Sequence, residues 1–211
     1  MAEALDLAIA DEPMRVFADR ALYWPARRRL LIADLHLGKG DTFRAAGIAV
    51  PTGGTTHDLQ RLQALLVRSG ASELWILGDF LHARRHPRVD AAWAAFRDAH
   101  RAVAMAVVPG NHDRDFDAAA ARVERLPEGL CDGPFEFRHA PPAEASDAHV
   151  VCGHLHPVLR LPGQGRHPLF WLQPGVSVLP AFSAFTGGHS VPPGASGGSV
   201  LCDGRQLLQL P

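Results

Sequence analysis

Three short apolar runs set the frame of this chain: Arg29–Ala33 (RLLIA), Glu73–Leu77 (ELWIL) and Val103–Val108 (VAMAVV). Each is too short for a buried helix and reads as a strand hidden on both faces. Between the first two, Thr55–Ser69 carries Leu59, Leu62, Leu65 and Leu66 at helical spacing, with threonines to cap its start and Gly70 to end it. Between the second and third, Val89, Ala92, Trp93 and Phe96 mark another amphipathic helix, opened by Pro87. Strand–helix–strand–helix–strand predicts parallel pairing through right-handed crossovers. After about residue 134 the signals shorten to FEF, HVVC, FWL, VSVL and SVLC, which predicts short, mostly antiparallel strands. Residues 190–199 (SVPPGASGGS) read as an exposed turn. No repeat, heptad or composition break divides the 211 residues, so one α/β domain spanning 1–211 is expected.

The residues just past each apolar run are more specific. RLLIA leads into Asp34-Leu35-His36, ELWIL into Gly78-Asp79, VAMAVV into Pro109-Gly110-Asn111-His112-Asp113, and HVVC into Gly153-His154-Leu155-His156. His139 comes directly after the FEFR run. The carboxyl ends of strands are where α/β sheets assemble their sites. One Asp after a strand is ordinarily a turn residue, and one His ordinarily a surface or hydrogen-bonded core residue. Five strand ends carrying such residues in one chain are another matter. Imidazole, carboxylate and a neutral amide oxygen form a borderline-to-hard ligand set that suits Mn²⁺, Fe²⁺ or Zn²⁺. Asp34 and His36, like His154 and His156, lie two apart and can face one side of an extended segment. Asp34, His36, Asp79, Asn111, His139, His154 and His156 are too many for one ion and suit two, with Asp79, alone at its strand end, as the natural bridge.

Composition narrows the partners. Lys and Arg total 21 against 22 Asp and Glu, a formal charge of −1, which excludes a generally polybasic coat for nucleic acid. The three cysteines include no CxxC pair, so neither a disulfide framework nor a thiolate zinc site is expected. No stretch approaches the ~20 apolar residues of a membrane span, and the first residues lack a basic segment before an apolar one; no membrane partner and a cytoplasmic setting are expected. Histidine is in excess, at 12 residues, whereas Lys39 is the only lysine.

D-x-H, GD, GNHD, H and GHxH, in that order and each after an apolar run, resemble the signature of the calcineurin-like metallophosphoesterase superfamily from about Leu30 to His156. The resemblance implies a four-layer α/β/β/α sandwich with a dinuclear metal site at the sheet edge. It places Asp34, His36 and His156 on one divalent ion, Asn111, His139 and His154 on the other, and Asp79 between them. His149 is the alternative to His139, but the HAPP segment favours the latter. His112 matches the histidine that stabilises the transition state or protonates the leaving oxygen, and Asp113 the acidic residue expected to orient that imidazole. Water activated between the two ions is the implied nucleophile.

Residues 33–62 (ADLHLGKGDTFRAAGIAVPTGGTTHDLQRL), GHLHPVLRL and LPAFSAFTGG resemble, more narrowly, the ligase-associated DNA-damage-response endonucleases. That likeness implies a manganese-dependent phosphodiesterase acting on DNA, single-stranded or gapped, beside a DNA ligase, helicase and nuclease of a repair cluster. Lys39 and Arg44 after the first motif, and His82, Arg84, Arg85, His86 and Arg88 after Asp79, are the candidates to grip flanking phosphates. Arg27–Arg29 reads as surface charge at the far end of the first strand, and Phe43 as a core aromatic. Three alternatives stand beside this reading. One is a metallophosphatase or phosphodiesterase acting on nucleotides or small phosphoesters. Another is a scaffold of the same fold without activity, which ordinarily loses ligands. The last, a metallo-β-lactamase-type nuclease, needs an HxHxDH cluster absent from this sequence.

Overall fold

The computed structural model describes residues 3–82, 87–113, 116–161, 163, 165–184, 186–192 and 198–210. The first sheet holds β1 (Ala4–Ile9), β2 (Glu12–Phe17), β3 (Ala21–Trp24), β4 (Arg29–Ala33), β5 (Glu73–Leu77), β6 (Ala104–Val108) and β7 (Glu124–Arg125), side by side in chain order. The first four pair antiparallel; from β4 to β7 all pairs are parallel. Helices α2 (Gly54–Ser69), α3 (Pro87–Ala99) and α4 (Ala118–Ala121) make the crossovers, and a shorter α1 (Lys39–Ala45) precedes them. Successive right-handed crossovers that step the same way along a sheet leave their helices on the same face.

That arrangement explains why the apolar runs are uninterrupted. Leu30, Ile32, Leu74, Ile76, Met105 and Val107 pack under Leu59, Leu62, Leu65, Leu66, Val89, Trp93 and Phe96 of the helices. The alternate residues Leu31, Ala33, Leu77, Ala106 and Val108 face Phe135, Phe137, Val151, Phe170 and Val200 of the second sheet. A strand covered on both sides has no solvent face to mark with polar residues.

The second sheet contains β8 (Leu130–Asp132), β9 (Phe135–Phe137), β10 (His149–Cys152), β11 (Pro157–Leu161), β12 (Gly165–Gln173), β13 (Val176–Val178), β14 (His189–Ser190), β15 (Ser199–Cys202) and β16 (Leu207–Gln209). Their order is β14-β11-β12-β13-β10-β9-β8, with β15 on β12 and β16 on β15. Most pairs are antiparallel as expected, but β11 lies parallel to β14, and β10 lies parallel to both β9 and β13. The excursions that separate them, residues 138–148 and the β11–β12 hairpin, return the chain to the same end. Parallel pairing is what sends the carboxyl ends of β9 and β10 to one edge; an antiparallel pair would split them. Of the turn expected over 190–199, residues 193–197 lie outside the described residues.

The two sheets stack as the expected mixed α/β sandwich, with helices on the outer face of the first. Among the described residues α2, α3 and α4 cover the first sheet. The outer face of the second is closed by strand and loop side chains, with Leu159, Leu169, Val191 and Leu201 in one cluster and Val150, Cys152 and Val178 in another.

Two local expectations are corrected. The threonine cap is not made: α2 begins at Gly54 after Gly53, with no capping side chain, and the Thr55 hydroxyl instead accepts the Gly38 N–H at 3.2 Å. Gly70 ends the helix in the left-handed conformation as expected. Arg29 is no surface charge. It is 5% exposed, lies 3.5 Å above the Trp75 ring, and pairs with Glu73 at 2.7 Å and Asp132 at 2.9 Å. Since Asp132 belongs to β8, this guanidinium ties the two sheets at the end away from the polar strand ends.

Candidate metal centre

The residues after β4, β5, β6, β9 and β10 meet at one edge of the two sheets. Asp34 Oδ2 lies 3.3 Å from His156 Nε2, and Asp34 Oδ1 3.6 Å from His139 Nδ1. Asp79 stands between two imidazoles, 3.8 Å from His36 Nε2 and 3.9 Å from His139 Nε2, using a different carboxylate oxygen for each. His139 Nε2 is also 3.0 Å from Asn111 Oδ1 and 2.9 Å from His154 Nδ1. All seven expected ligands are thus brought together. Among the described residues, Asp34, His36 and His156 form one group able to hold an ion, and Asp34, Asp79 and His139 another. Asp34 is shared between them, where the spacing singles out Asp79 alone. His149 stands apart, its Nε2 2.8 Å from Ser177 Oγ.

The backbone is bent to achieve this. Asp34 (φ 52°), His36 (47°), Asp79 (24°), His154 (68°) and His156 (48°) all sit in the left-handed region. For non-glycine residues that region costs roughly 1–2 kcal/mol each, and such strain concentrates where function requires it. The motif glycines have a separate cause, close approach. A Cβ at Gly78 would lie 1.6 Å from His139 Nδ1, and one at Gly153 2.6 Å from both Ala33 Cβ and Asp34 Oδ2.

The donor atoms fit a pair of divalent ions. Asp34 Oδ1, both nitrogens of His36, His139 Nδ1 and His156 Nε2 are buried without a hydrogen-bond partner in the structure. Buried polar atoms are ordinarily satisfied, so such a cluster points to a cation. Burial, followed by Lys39 and the neighbouring imidazoles, pushes the His36 pKa down to about 2, which leaves the ring neutral and its lone pair available. Gly187 O accepts from His156 Nδ1 at 3.2 Å, turning Nε2 toward Asp34.

The other expected residues divide. Lys39 is buried at the start of α1; burial lowers its pKa while the charges of Asp34 and Asp79 act the other way. His112 is exposed, its Nε2 4.0 Å from Asp79 Oδ2, and its ring stacks on His82 with centroids 5.2 Å apart. His82 also meets the His36 ring, with centroids 5.3 Å apart; burial first, then Lys39, pushes its pKa to about 4. Arg44 is turned away, bonded to Asp41 and to Pro51 O. Phe43 stands edge-on to His82 with ring centroids 5.7 Å apart. Arg84, Arg85 and His86 lie outside the described residues.

Asp113 requires a correction. Its buried carboxylate accepts the backbone N–H groups of Phe80, Leu81 and Gly110, each at 2.9 Å, and none of its hydrogen bonds reaches the His112 imidazole. Consecutive residues on this tight turn point apart, so the carboxylate ties the Asp79 loop to the Asn111 loop. Sequence reasoning also missed the segment beside Asp34. Phe182 N donates to Ala33 O at 2.7 Å, and Arg61 reaches Phe182 O at 3.0 Å while covering the Phe182 ring at 4.4 Å. LPAFSAFTGG was its only signal.

The family model for calcineurin-like phosphoesterases matches residues 27–173, which contain every candidate ligand. The chain is similar to the nuclease MPE of Pseudomonas putida, with 35% identity and a TM-score of 0.87 over 98% of this chain and 100% of that one. It shares a fold with Yfce, a phosphoesterase from E. coli, at 18% identity and a TM-score of 0.51 over 86% and 97% of the two chains. No curated protein sequence matches it significantly. With two sheets closing on a buried set of carboxylates and imidazoles at the expected edge, the chain belongs to the calcineurin-like phosphoesterase family and is a metal-dependent hydrolase.

Proposed function

We propose that the protein is a two-metal phosphodiesterase that cuts DNA, single-stranded or gapped, with manganese as its working ion. The observation that carries this reading is likeness from end to end, at 35% identity, to a nuclease. A cytoplasmic setting and a DNA ligase, helicase and nuclease of repair as functional associates belong to the same reading. Among the described residues no helix is long and apolar enough to cross a membrane.

Asp34, His36 and His156 would hold one ion, Asn111, His139 and His154 the other, and Asp79 would bridge them. The ions would supply Lewis acidity and an activated water. Protein groups do the rest. The exposed His112 imidazole, 4.0 Å from Asp79 Oδ2, would protonate the leaving oxygen. The Lys39 ammonium adds positive charge close to the reacting phosphate. Asp113 fixes the loops of Asp79 and Asn111 relative to one another, and Gly187 sets the tautomer of His156.

The test is metal analysis joined to a Mn²⁺-dependent assay on circular single-stranded DNA, plasmid, small phosphodiesters and phosphomonoesters. Nicking of the single-stranded circle well above hydrolysis of the small esters is expected. Efficient hydrolysis of the small esters with intact circles would replace the DNA reading with a phosphatase or nucleotide phosphodiesterase.

A further inference from the structure

We propose that the cleft beside His156 is an anion subsite that seats the phosphate next to the scissile one in a single nucleic-acid strand, an inference that rests on the DNA reading above. The cleft measures about 190 Å³, and among its described walls are Arg20, His156, Arg166, Thr186, Gly187 and Gly188, with no carboxylate. His156 forms the partition. Its Nε2 faces Asp34 in the metal centre at 3.3 Å, while the same residue lines the cleft.

Two cations give the cleft its character. Arg20 comes after β2, and its Nη1 donates to Ala181 O and Ser183 O, each at 3.2 Å. Its Nε is buried without a partner in the structure. A guanidinium has five N–H donors in a rigid fork, and a buried one left without an acceptor is costly. Arg166, at the start of β12, is exposed, and its guanidinium makes no hydrogen bond or ion pair among the described residues. Across the hairpin it stands directly opposite Arg160. Like charges directly opposite on a sheet repel, and an anion between or beside them removes the conflict.

The position selects the substrate class. A phosphomonoester or small diester has one phosphate, which the metal centre takes. A second anion seat across one imidazole serves a ligand with a further phosphate, and a nucleic-acid strand repeats its phosphates at a fixed step. Phosphate contacts of this kind set register and orientation and are blind to sequence. They also give a weakly charged protein a local grip on a polyanion.

The experiment compares wild type with Arg166→Ala, and separately with Arg20→Gln because Arg20 also clamps Ala181 and Ser183. Binding of a fluorescent oligothymidylate is followed by anisotropy at several salt concentrations. Hydrolysis of that oligonucleotide and of bis(p-nitrophenyl) phosphate is measured with Mn²⁺. Arg166→Ala is expected to weaken oligonucleotide binding about fivefold to tenfold, and to flatten the slope of log Kd against log salt by about 0.7. Its kcat/KM on the oligonucleotide should fall by a similar factor relative to that on the small diester. Unchanged affinity and salt slope in Arg166→Ala, with a wild type that cuts the oligonucleotide, overturn the subsite alone. A wild type that hydrolyses the small diester but neither binds nor cuts the oligonucleotide overturns the DNA reading and the subsite with it.

Discussion

His112 touches Asp79 only through its backbone N–H, 3.0 Å from Oδ1; its exposed imidazole Nε2 lies 4.0 Å from Oδ2, whereas Asn111, His139 and His154 are packed on one another at 2.9–3.0 Å. Removing its imidazole should therefore leave ion binding intact and slow the chemistry. His112→Ala is expected to keep the wild-type metal content while kcat falls by roughly 10²–10⁴, the usual range for a general acid or base. Metal analysis and steady-state kinetics on one preparation check both halves. The small residue before Asp79 gives the opposite pattern. A Cβ on Gly78 would occupy the space of His139 Nδ1, and its φ of +80° adds strain. Gly78→Ala should thus lose bound metal and activity together, and His139 should be displaced. A Gly78→Ala protein with full metal content would contradict so close an approach of His139 to this backbone.

The loops after β5 and β6 are held together by two carboxylates: Asp79 Oδ1 accepts the His112 N–H at 3.0 Å, and Asp113 makes the larger set of bonds. Asp113 takes three backbone N–H groups, that of Phe80 buried and those of Leu81 and Gly110 partly so. Asp113→Asn replaces one accepting oxygen by a donor, leaving at least one N–H unsatisfied at a cost of roughly 1–3 kcal/mol. For a chain of this length, a lower Tm and weaker metal binding are expected, while the pH profile of any remaining activity stays that of wild type because the carboxylate does not touch His112. Calorimetry and a metal titration measure the first two. The same elements show what a sequence makes legible. β4, β5 and β6 were readable because they are covered on both faces and so carry no polar interruption. β1, β2 and β3 were not. Asp6 and Arg15 interrupt β1 and β2, the turn at Ala10 and Asp11 takes positive φ without glycine, and β3 is only the four residues ALYW. Hydrophobic period carries no strand direction, so the parallel placement of β9, β10 and β13 was invisible as well. The ligand set was legible because strand ends announce it. The carboxylate of Asp113 and the cation of Arg29 were not, since both act on groups distant in sequence.

Across the whole molecule the partly and fully buried histidines make stability fall in acid. Burial lowers the pKa of His149, which lies away from the expected ligands and meets Ser177, and that of His100, where Arg97 adds to the effect. The unfolded chain binds protons on these rings near pH 6.5, before the folded one does. Their contribution is therefore complete above about pH 6.5 and is lost as pH falls, by at most ~1.4 kcal/mol per pH unit for each ring. In ion-free protein His36, held at about 2, acts with the same sign and over a wider window. Asp113 opposes them at lower pH, because burial raises its pKa and the folded state then takes its proton first. Bound ions change the whole-molecule result by a second route. They neutralise Asp34 and Asp79, whose carboxylates are 0% and 3% exposed, and stabilise the folded state by about 2.7 kcal/mol when free ion is a hundredfold above Kd. Chelation should accordingly lower Tm by roughly 5–10 °C at pH 7.5, taking about 2–4 °C per kcal/mol for a chain of this size. The chelated protein should then lose further stability from pH 6.5 to 5, with a shallower decline in His149→Gln. Thermal unfolding with and without chelator over that pH range measures both terms, and a chelated protein whose Tm stays level from pH 7.5 to 5 would show that these rings titrate alike in the folded and unfolded chains.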